Sequence, residues 1–347
     1  MYYGVDIGGT KIELAVFSPQ LRLLDKWRIA TQGDDYQSFL TSLALQISEA
    51  DRRWPAESGI PGTVGIALPG VVRADGTVVS SNVPCLNQRK VAEDLGALLS
   101  RPVALGNDCR CFALSEALLG AGKDHARVLG LILGTGLGGG ICIEGRLITG
   151  AHCLAGEFGH QGMAASVLLR HGLPLYDCGC GLKGCAETYV SGTGLGRIYR
   201  AFGGEGDTYA WLAALRAGDA IAKRSFDAYL DALGSVLAGQ ILSLDPDIFV
   251  FGGGLSEVPE ILAALPQATA RHMFNGVQLP EFCAAQFGAA SGVRGAAQFG
   301  AASGVRGAAM LGKALATRVE QSNSVSANEQ VADMDTLLTG GWHEQQH

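Results

Sequence analysis

Two segments of the chain share a pattern of apolar residues interrupted by glycine. In Met1–Phe17 alternating apolar positions resume after the turn at Gly8-Gly9, and Val128–Ile143 runs in the same way around a glycine-rich turn. Each pattern predicts two strands joined by a tight turn. Because helical segments follow both hairpins, the repetition indicates two related lobes.

Other apolar runs predict shorter strands and one long helix. Thr63–Leu68 and Val103–Leu105 have the length and composition of strands. Ile248–Phe251 predicts a buried strand that ends at Gly252–Gly254, where a helix N-terminus can meet an anionic ligand. Within Asp219–Leu244 apolar residues recur every three or four positions, as on the core-facing side of a helix: Phe226, Tyr229, Leu233, Val236, Leu237 and Ile241.

Composition and charge exclude several classes of protein. The 347 residues include 50 glycines, 26 basic and 33 acidic side chains, which gives a net charge of −7. With 48% hydrophobic and 17% charged residues the chain is not disordered, and its clustered glycines do not have the period of collagen. The acidic balance argues against a nucleic-acid partner. We expect no signal peptide and no membrane helix, and therefore no membrane partner and a cytoplasmic protein.

The densest group of potential metal-ligating side chains is Cys178, Cys180 and Cys185, with His160 upstream. Three thiolates and one imidazole form the ligand set of a closed, tetrahedral structural zinc site. The glycines between the cysteines allow the backbone to fold around a metal, whereas buried structural cysteines rarely cluster in such a loop. The remaining cysteines show no comparable grouping and are interpreted as free thiols.

Two glycine turns are candidates for binding phosphate. In Asp6–Lys11 the glycines allow backbone N–H groups to approach an anion, Thr10 offers a hydroxyl, and Asp6 can hold Mg²⁺ through water. An ordinary hairpin turn is the alternative. Gly134–Gly140 repeats the theme with five glycines, more than a hairpin needs. Neither turn has the spacing of a P-loop or of a dinucleotide fingerprint.

Three acidic positions can be read in two ways. Asn107-Asp108 stands at the entrance to a predicted helix, where either residue can be an N-cap, or Asp108 can accept a proton from a substrate hydroxyl. Glu157 and Glu187 flank the cysteine cluster, where they are either solvated or bind sugar hydroxyls. These alternatives stay open at the level of residue chemistry.

A perfect tandem copy and a polar tail mark the C-terminal part of the chain. The segment AAQFGAASGVRG occurs at Ala284–Gly295 and again at Ala296–Gly307. Two copies are too few for a repeat protein, so we interpret them as a local duplication that adds a loop. Residues 317–347 are polar with little apolar periodicity, and we expect a disordered tail there.

Together these motifs resemble those of the ROK family of sugar kinases. The likeness extends over about residues 1 to 315 and is carried, in the order and spacing of the family, by Asp6–Thr10, Asn107-Asp108, Gly134–Gly140, Gly156-Glu157-Phe158-Gly159-His160, the C-x-C-G-x-x-G-C-x-E run from Cys178 to Glu187, and Val250–Gly254.

The resemblance implies an α/β protein with the actin-like ATPase fold, in which two lobes of ribonuclease H-like topology enclose an ATP and sugar cleft. Residues 1–118 would form the N-terminal lobe, to which a helix near 307–316 returns. Residues 119–306 would form the C-terminal lobe with the zinc knuckle. The family also implies a homodimer.

The resemblance also implies a role for each candidate residue. Asp108 would be the catalytic base that accepts the proton of the sugar 6-hydroxyl, and the sugar would be held by Asn107, Asp108, Glu157, His160 and Glu187. Zinc would be bound by His160, Cys178, Cys180 and Cys185. ATP, with Mg²⁺, would be bound by Gly4, Val5, Asp6, Ile7, Gly8, Gly9, Thr10, Lys11, Thr135, Gly136, Leu137, Gly138, Gly139, Gly140, Ile141, Cys142, Ile143, Gly252, Gly253 and Gly254.

For the sugar itself, the resemblance favours N-acetylglucosamine. The likeness to family members that phosphorylate it is carried by Met1–Ile12, Asn82–Pro84 and Cys111–Ala117. Fructose and glucose are the alternatives, since kinases for them share most of these motifs. A sugar sensor without kinase activity and a family repressor are other function classes. Because the first turn comes so early, we expect no DNA-binding domain ahead of it, which disfavours a repressor. The retained Asp108 and both phosphate turns argue against the sensor.

Overall fold

The computed structural model describes residues 1–20, 22–55, 61–80 and 82–287. The predicted return helix at 307–316, the tail at 317–347 and the second copy at Ala296–Gly307 lie outside the described residues. In chain order the strands are β1 (Tyr2–Ile7), β2 (Lys11–Phe17), β3 (Leu23–Ala30), β4 (Thr63–Leu68), β5 (Val71–Val72), β6 (Val78–Val79), β7 (Val103–Asn107), β8 (Arg127–Leu133), β9 (Leu137–Ile143), β10 (Arg146–Ile148), β11 (Ile248–Gly252) and β12 (Glu281–Ala284).

The helices are distributed unevenly between the two halves of the chain, and most follow β7. Three further 3₁₀ turns span Pro84–Leu86, Phe158–His160 and Gly254–Glu257. In chain order the helices are α1 (Tyr36–Arg53), α2 (Val91–Leu99), α3 (Asp108–Leu119), α4 (Ala165–His171), α5 (Glu187–Val190), α6 (Gly192–Ala201), α7 (Thr208–Arg216), α8 (Ala220–Leu244) and α9 (Pro259–Ala270). Within the described residues, no helix has both the length and the apolar content needed to cross a membrane.

Two five-stranded sheets share one topology. The first has the order β3-β2-β1-β4-β7 and the second the order β10-β9-β8-β11-β12. In each sheet a hairpin of antiparallel strands is followed by two strands that add in parallel. The predicted hairpins around Gly8-Gly9 and Gly134–Gly140, and the repetition of one lobe plan, are therefore confirmed, although the second turn is shorter than predicted because Gly138–Gly140 belong to β9. The lobe boundary between residues 118 and 119 stays a prediction.

The long helix α8 supports the second sheet and confirms the helix predicted at 219–244. Asp219 caps its N-terminus, where the side chain accepts a hydrogen bond from Ala222 N at 2.7 Å. Asp245 ends it in the left-handed region with φ 43°, directly before Pro246. Its buried face, which includes Leu233 and Leu237, belongs to the larger of the hydrophobic cores. Apolar burial along this face stabilises the helix more than its intrinsic propensity does.

Helix α3 joins the two sheets, because it continues directly from β7 of the first sheet and packs on β8 and β9 of the second. This packing requires glycine at two strand positions. A Cβ atom on Gly130 or Gly140 would lie 2.7 or 2.6 Å from the Cβ atom of Ala113, which is too close for any side chain. The N-terminal end of α3 is thereby fixed between the two sheets.

The start of the duplicated segment is held by α3 as well. Glu116 is fully buried, and its carboxylate accepts hydrogen bonds from Gln286 N at 3.0 Å and from Phe287 N at 3.1 Å. Just before them, Phe282 of β12 stacks on Phe249 and Phe251 of β11. The first copy thus begins at an anchored position in the fold.

We predict that one copy of the repeat can be deleted without loss of stability or activity. Removal of Ala284–Gly295 or of Ala296–Gly307 gives the same product, which keeps the sequence that Glu116 binds. The thermal midpoint of the purified deletion variant should lie within a few degrees of the parent value, and its kcat/KM within about twofold. An insoluble or inactive product would show that both copies are structural.

Candidate active site and metal centre

The predicted metal ligands lie together in space. One donor atom from each of His160, Cys178, Cys180 and Cys185 lies within 4.8 Å of all the others. The Sγ atoms of Cys180 and Cys185 are 3.6 Å apart, and Cys178 Sγ is 3.7 Å from His160 Nδ1. Tetrahedral coordination with bonds of about 2.3 Å to sulfur places ligand atoms about 3.8 Å apart. The donor set and its spacing therefore fit zinc.

Local backbone geometry brings these ligands together. Gly181 and Gly184 have φ values of 91° and 74°, which an L side chain rarely adopts. Cys178 N donates to Leu182 O at 2.8 Å, and Gly181 N donates to Cys178 O at 3.0 Å, so the loop closes into a tight knuckle.

The knuckle is also tied to the segment that carries His160. Met163 N donates to Gly184 O and Ala186 N donates to Gln161 O, each at 2.8 Å. These two backbone hydrogen bonds place the short 3₁₀ turn that ends at His160 beside the cysteines, although 18 residues separate His160 from Cys178.

Glu157 and Glu187 lie on opposite sides of the His160 ring. Glu187 Oε1 is 3.0 Å from Cys178 Sγ and 3.8 Å from His160 Nδ1, on the side of the cysteines. Glu157 Oε2 is 4.0 Å from Nε2, the other ring nitrogen. His160 is 40% exposed, so Nε2 remains open to a ligand while Nδ1 faces the metal ligands. One histidine can thus connect a metal centre with a substrate site.

The structure separates the two roles that the sequence left open at Asn107-Asp108. Asn107 is the N-cap of α3: its Oδ1 accepts hydrogen bonds from Cys109 N at 2.9 Å and from Arg110 N at 3.2 Å, while its Nδ2 donates to Gly70 O at 2.9 Å. Asp108 is the first residue of the helix, and its Oδ1 accepts from Cys109 N at 2.8 Å. The cap therefore does not depend on the Asp108 carboxylate.

The environment of Asp108 is suited to accepting a proton. Burial raises the pKa of the Asp108 carboxyl above its usual range against the opposing hydrogen bond from Cys109, and the negative charge of Glu157 raises it further. A carboxylate with a raised pKa is a stronger base than a solvated one. Asp108 thus combines a fixed position between the sheets with increased basicity.

Asp6 lies near the end of β1, just before the first glycine turn, and its pKa is influenced by the charge of Asp108. Burial, together with the charges of Asp108 and Glu13, raises the pKa of Asp6 to about 7, although Lys11 and Arg28 oppose the change. A divalent cation next to Asp6 would relieve this accumulation of negative charge. The donor type and the electrostatics therefore fit Mg²⁺.

The second glycine turn adjoins both the metal ligands and a cavity. Leu137 N donates to Glu187 Oε2 at 3.5 Å, a link between the turn and the knuckle that chain order does not reveal. Beside Gly134 and Thr135 opens a cavity of about 430 Å³. Its walls include residues of α6, α7 and the turn after β11 that the sequence analysis did not single out, among them Thr193, Arg200, Tyr209, Leu212, Arg216 and Glu257.

The predicted ATP residues occupy two kinds of position. Some lie in the two glycine turns: Gly8, Gly9 and Thr10 in the first, and Thr135 and Gly136 in the second. Gly254 lines the cavity. Gly253 precedes it with φ 83°, where a Cβ atom would lie 2.5 Å from Leu133 O. The others lie within strands, where Val5, Ile7, Ile141 and Cys142 are buried and support the turns. Their part in ATP binding stays a prediction.

The family profile and the similar proteins compared with this chain agree with each other. The sequence profile of the ROK family matches residues 2–314. An N-acetylgalactosamine kinase of Shewanella sp. (strain ANA-3) is 67% identical over 85% of this chain and 95% of its own length. An N-acetyl-D-glucosamine kinase of Escherichia coli O6:H1 is 42% identical over 85% of this chain and 98% of its own.

Solved structures show the same fold. A ROK hexokinase from Thermus thermophilus has 30% identity and a TM-score of 0.77 over 91% of this chain and 99% of its own. A ROK glucokinase from Streptomyces griseus, solved with glucose and AMPPNP, has 28% identity and a TM-score of 0.68 over 89% and 98%. The expected actin-like ATPase fold is confirmed. The chain belongs to the ROK family and is a sugar kinase.

Proposed function

We propose that the chain transfers the terminal phosphoryl group of ATP to the 6-hydroxyl of an N-acetylhexosamine. The observation that carries the proposal is the Asp108 carboxylate, which is basic, fixed at the start of α3 and not needed as the helix cap. N-acetylgalactosamine is the first candidate acceptor because the relative at 67% identity is named for it, whereas the relatives named for N-acetylglucosamine are 41–42% identical.

On the acceptor side, Asp108 accepts the proton of the 6-hydroxyl as the oxygen attacks phosphorus. Glu157 and Glu187 accept hydrogen bonds from ring hydroxyls, and His160 contributes Nε2, the ring nitrogen that faces away from the cysteines. Asn107 contributes through the second N–H of its amide, because the first donates to Gly70 O. These side chains hold the sugar so that the 6-hydroxyl lies at Asp108.

On the nucleotide side, the turns at Gly8–Thr10 and Thr135-Gly136 offer backbone N–H groups and hydroxyls to the phosphates. The cavity of about 430 Å³ beside Thr135 has the volume for an adenosine group. Asp6 would hold Mg²⁺ through water, and the metal supplies positive charge to the transferred phosphoryl group. The two turns belong to different sheets, so closure of the cleft brings the phosphates towards Asp108.

Zinc would be held by His160, Cys178, Cys180 and Cys185 as a closed site without a coordination position for substrate. Its contribution is structural: it would fix the ring of His160 and the start of α5, where Glu187 lies.

A sensor without kinase activity is disfavoured by the retained pair Asp6 and Asp108. The homodimer and the cytoplasmic setting stay predictions.

We predict that N-acetylgalactosamine has the highest kcat/KM, with N-acetylglucosamine second and glucose, mannose and fructose lower by about tenfold or more. Initial rates of ADP release with the five sugars in parallel measure this. The Asp108→Asn variant, purified in the same way, controls for contaminating kinases. A preference for glucose or fructose would refute an N-acetylhexosamine kinase and would favour the hexose kinases of the family.

Asp108→Asn should abolish most kinase activity and leave sugar binding largely intact. The substitution preserves the shape of the side chain and the cap from Asn107, but it removes the proton acceptor, which typically costs about 10²–10⁴-fold in kcat. Single-turnover rates and a calorimetric sugar titration measure the two effects separately. Turnover within a few-fold of wild type would mean that Asp108 is not the base.

The pH profile should reflect the raised pKa of Asp108. A carboxyl whose pKa is raised stays protonated to higher pH than usual and cannot then accept a proton, so kcat/KM should fall as the pH decreases through that pKa. The acid limb should lie above about pH 4, the range of a solvated aspartate. Circular dichroism at each pH controls for unfolding. A rate that stays constant from pH 8 to about pH 4 would contradict this assignment.

Metal removal should weaken the binding of sugar more than the binding of ATP. Glu157, His160 and Glu187 adjoin the cysteine cluster, whereas the residues that line the nucleotide cavity are not metal ligands. We expect about one equivalent of zinc, and an increase in the sugar Kd after chelation or Cys180→Ser that exceeds the ATP increase by about tenfold. Cys85→Ser, outside the cluster, is the control. Less than about half an equivalent of zinc, or equal increases in the Kd values for sugar and ATP, would contradict the claim.

A further inference from the structure

Arg110 is an unusual side chain for its position. It lies in the first turn of α3, two residues after Asp108, and is only 4% exposed. The charge of an arginine is costly to bury unless its guanidinium is fully hydrogen-bonded. Its partners therefore indicate what the residue does.

Among the described residues, the three hydrogen-bond acceptors of the Arg110 side chain belong to one distant segment. Nε donates to Ala155 O at 3.1 Å, and Nη2 donates to Cys153 O at 2.5 Å and to Glu157 Oε1 at 3.4 Å. The acceptors follow Arg110 in the chain by 43 to 47 residues. The planar fork of an arginine can bind several acceptors at once, which the single ammonium of a lysine does less well.

The segment that Arg110 binds, residues 149–157, depends on external support. Its own backbone hydrogen bonds are local, such as Ala155 N to Thr149 O and Glu157 N to Leu154 O, each 3.2 Å long. Gly150, Cys153 and Gly156 have positive φ values, so the segment is a succession of tight turns and not a regular element. Glu157 stands at its end.

We propose that Arg110 is a positioning residue that holds Glu157 at the sugar. The guanidinium fixes the backbone of residues 149–157 through two carbonyl groups and orients the Glu157 carboxylate through a third contact. Because Arg110 and Asp108 belong to the same turn of α3, the catalytic base and this sugar ligand share one rigid support. The inference rests on the proposed function, in which Glu157 binds a ring hydroxyl.

The test compares Arg110→Met and Arg110→Lys with wild type through separate KM values for N-acetylgalactosamine and for ATP. We expect the sugar KM to increase about tenfold in R110M and about threefold in R110K, with the ATP KM within about twofold. Arg127→Lys is the matched control, since Arg127 is a half-exposed residue of β8, in the sheet on which α3 packs, and pairs with Asp247 at 2.8 Å. It should behave as wild type.

A double-mutant cycle with Glu157→Gln distinguishes positioning from general support of the fold. If Arg110 acts through Glu157, R110M should increase the sugar KM much less in the Glu157→Gln background than in wild type. A merely structural role would give additive losses and equal increases in both KM values, and either result would overturn the proposal. So would a sugar KM within about twofold of wild type in both variants.

Misfolding of a variant and inactivity of the wild-type enzyme lead to different conclusions. If R110M fails to fold, as judged by circular dichroism, R110K alone and its cycle with Glu157→Gln decide the matter by the same criteria. If the wild-type enzyme phosphorylates no N-acetylhexosamine, the proposed function and this inference both fail. Activity of wild type together with unchanged sugar KM values in the Arg110 variants overturns the role of Arg110 alone.

Discussion

The close packing of α3 on the second sheet is the constraint on which the candidate site depends. Because Gly130 and Gly140 have no side chains, α3 can pack directly against β8 and β9. At its N-terminus the helix continues from β7 of the first sheet. The same helix begins with Asp108 directly after β7, brings Arg110 to Glu157, and brings Glu116 to the chain after β12. One rigid element thus aligns parts of the protein that are far apart in sequence.

This arrangement concentrates negative charge, and the proposed ligands compensate for it. Burial raises the pKa of both Asp6 and Asp108; the charge of Asp108 adds to the rise at Asp6, and the charge of Glu157 adds to the rise at Asp108. A buried carboxylate that faces others is stabilised by a neighbouring cation. Arg110 provides such a charge at Glu157, and Mg²⁺ would provide it at Asp6. The electrostatics of the site therefore fit the requirements of phosphoryl transfer.

Local signals in the sequence predicted much of the fold and the clustering of the candidate metal ligands. Alternating apolar residues around glycine gave both hairpins, and helical periodicity gave α8 within one residue of its observed start. Cysteine spacing grouped the metal ligands because three of them are close in the chain. The support from Arg110 and the walls of the cavity could not be predicted, because they depend on tertiary contacts. Two of the acceptors of Arg110 are backbone carbonyls, which have no sequence signature.

The position of the new phosphate on the sugar tests the central claim most directly. In the proposed site Glu157, His160 and Glu187 hold the ring hydroxyls and leave the 6-hydroxyl at Asp108. After reaction with ATP and N-acetylgalactosamine, phosphorus–proton correlation NMR of the product identifies the phosphorylated carbon. The account predicts coupling of phosphorus to the two protons on C6. Coupling to the anomeric proton, or to another ring proton, would contradict it.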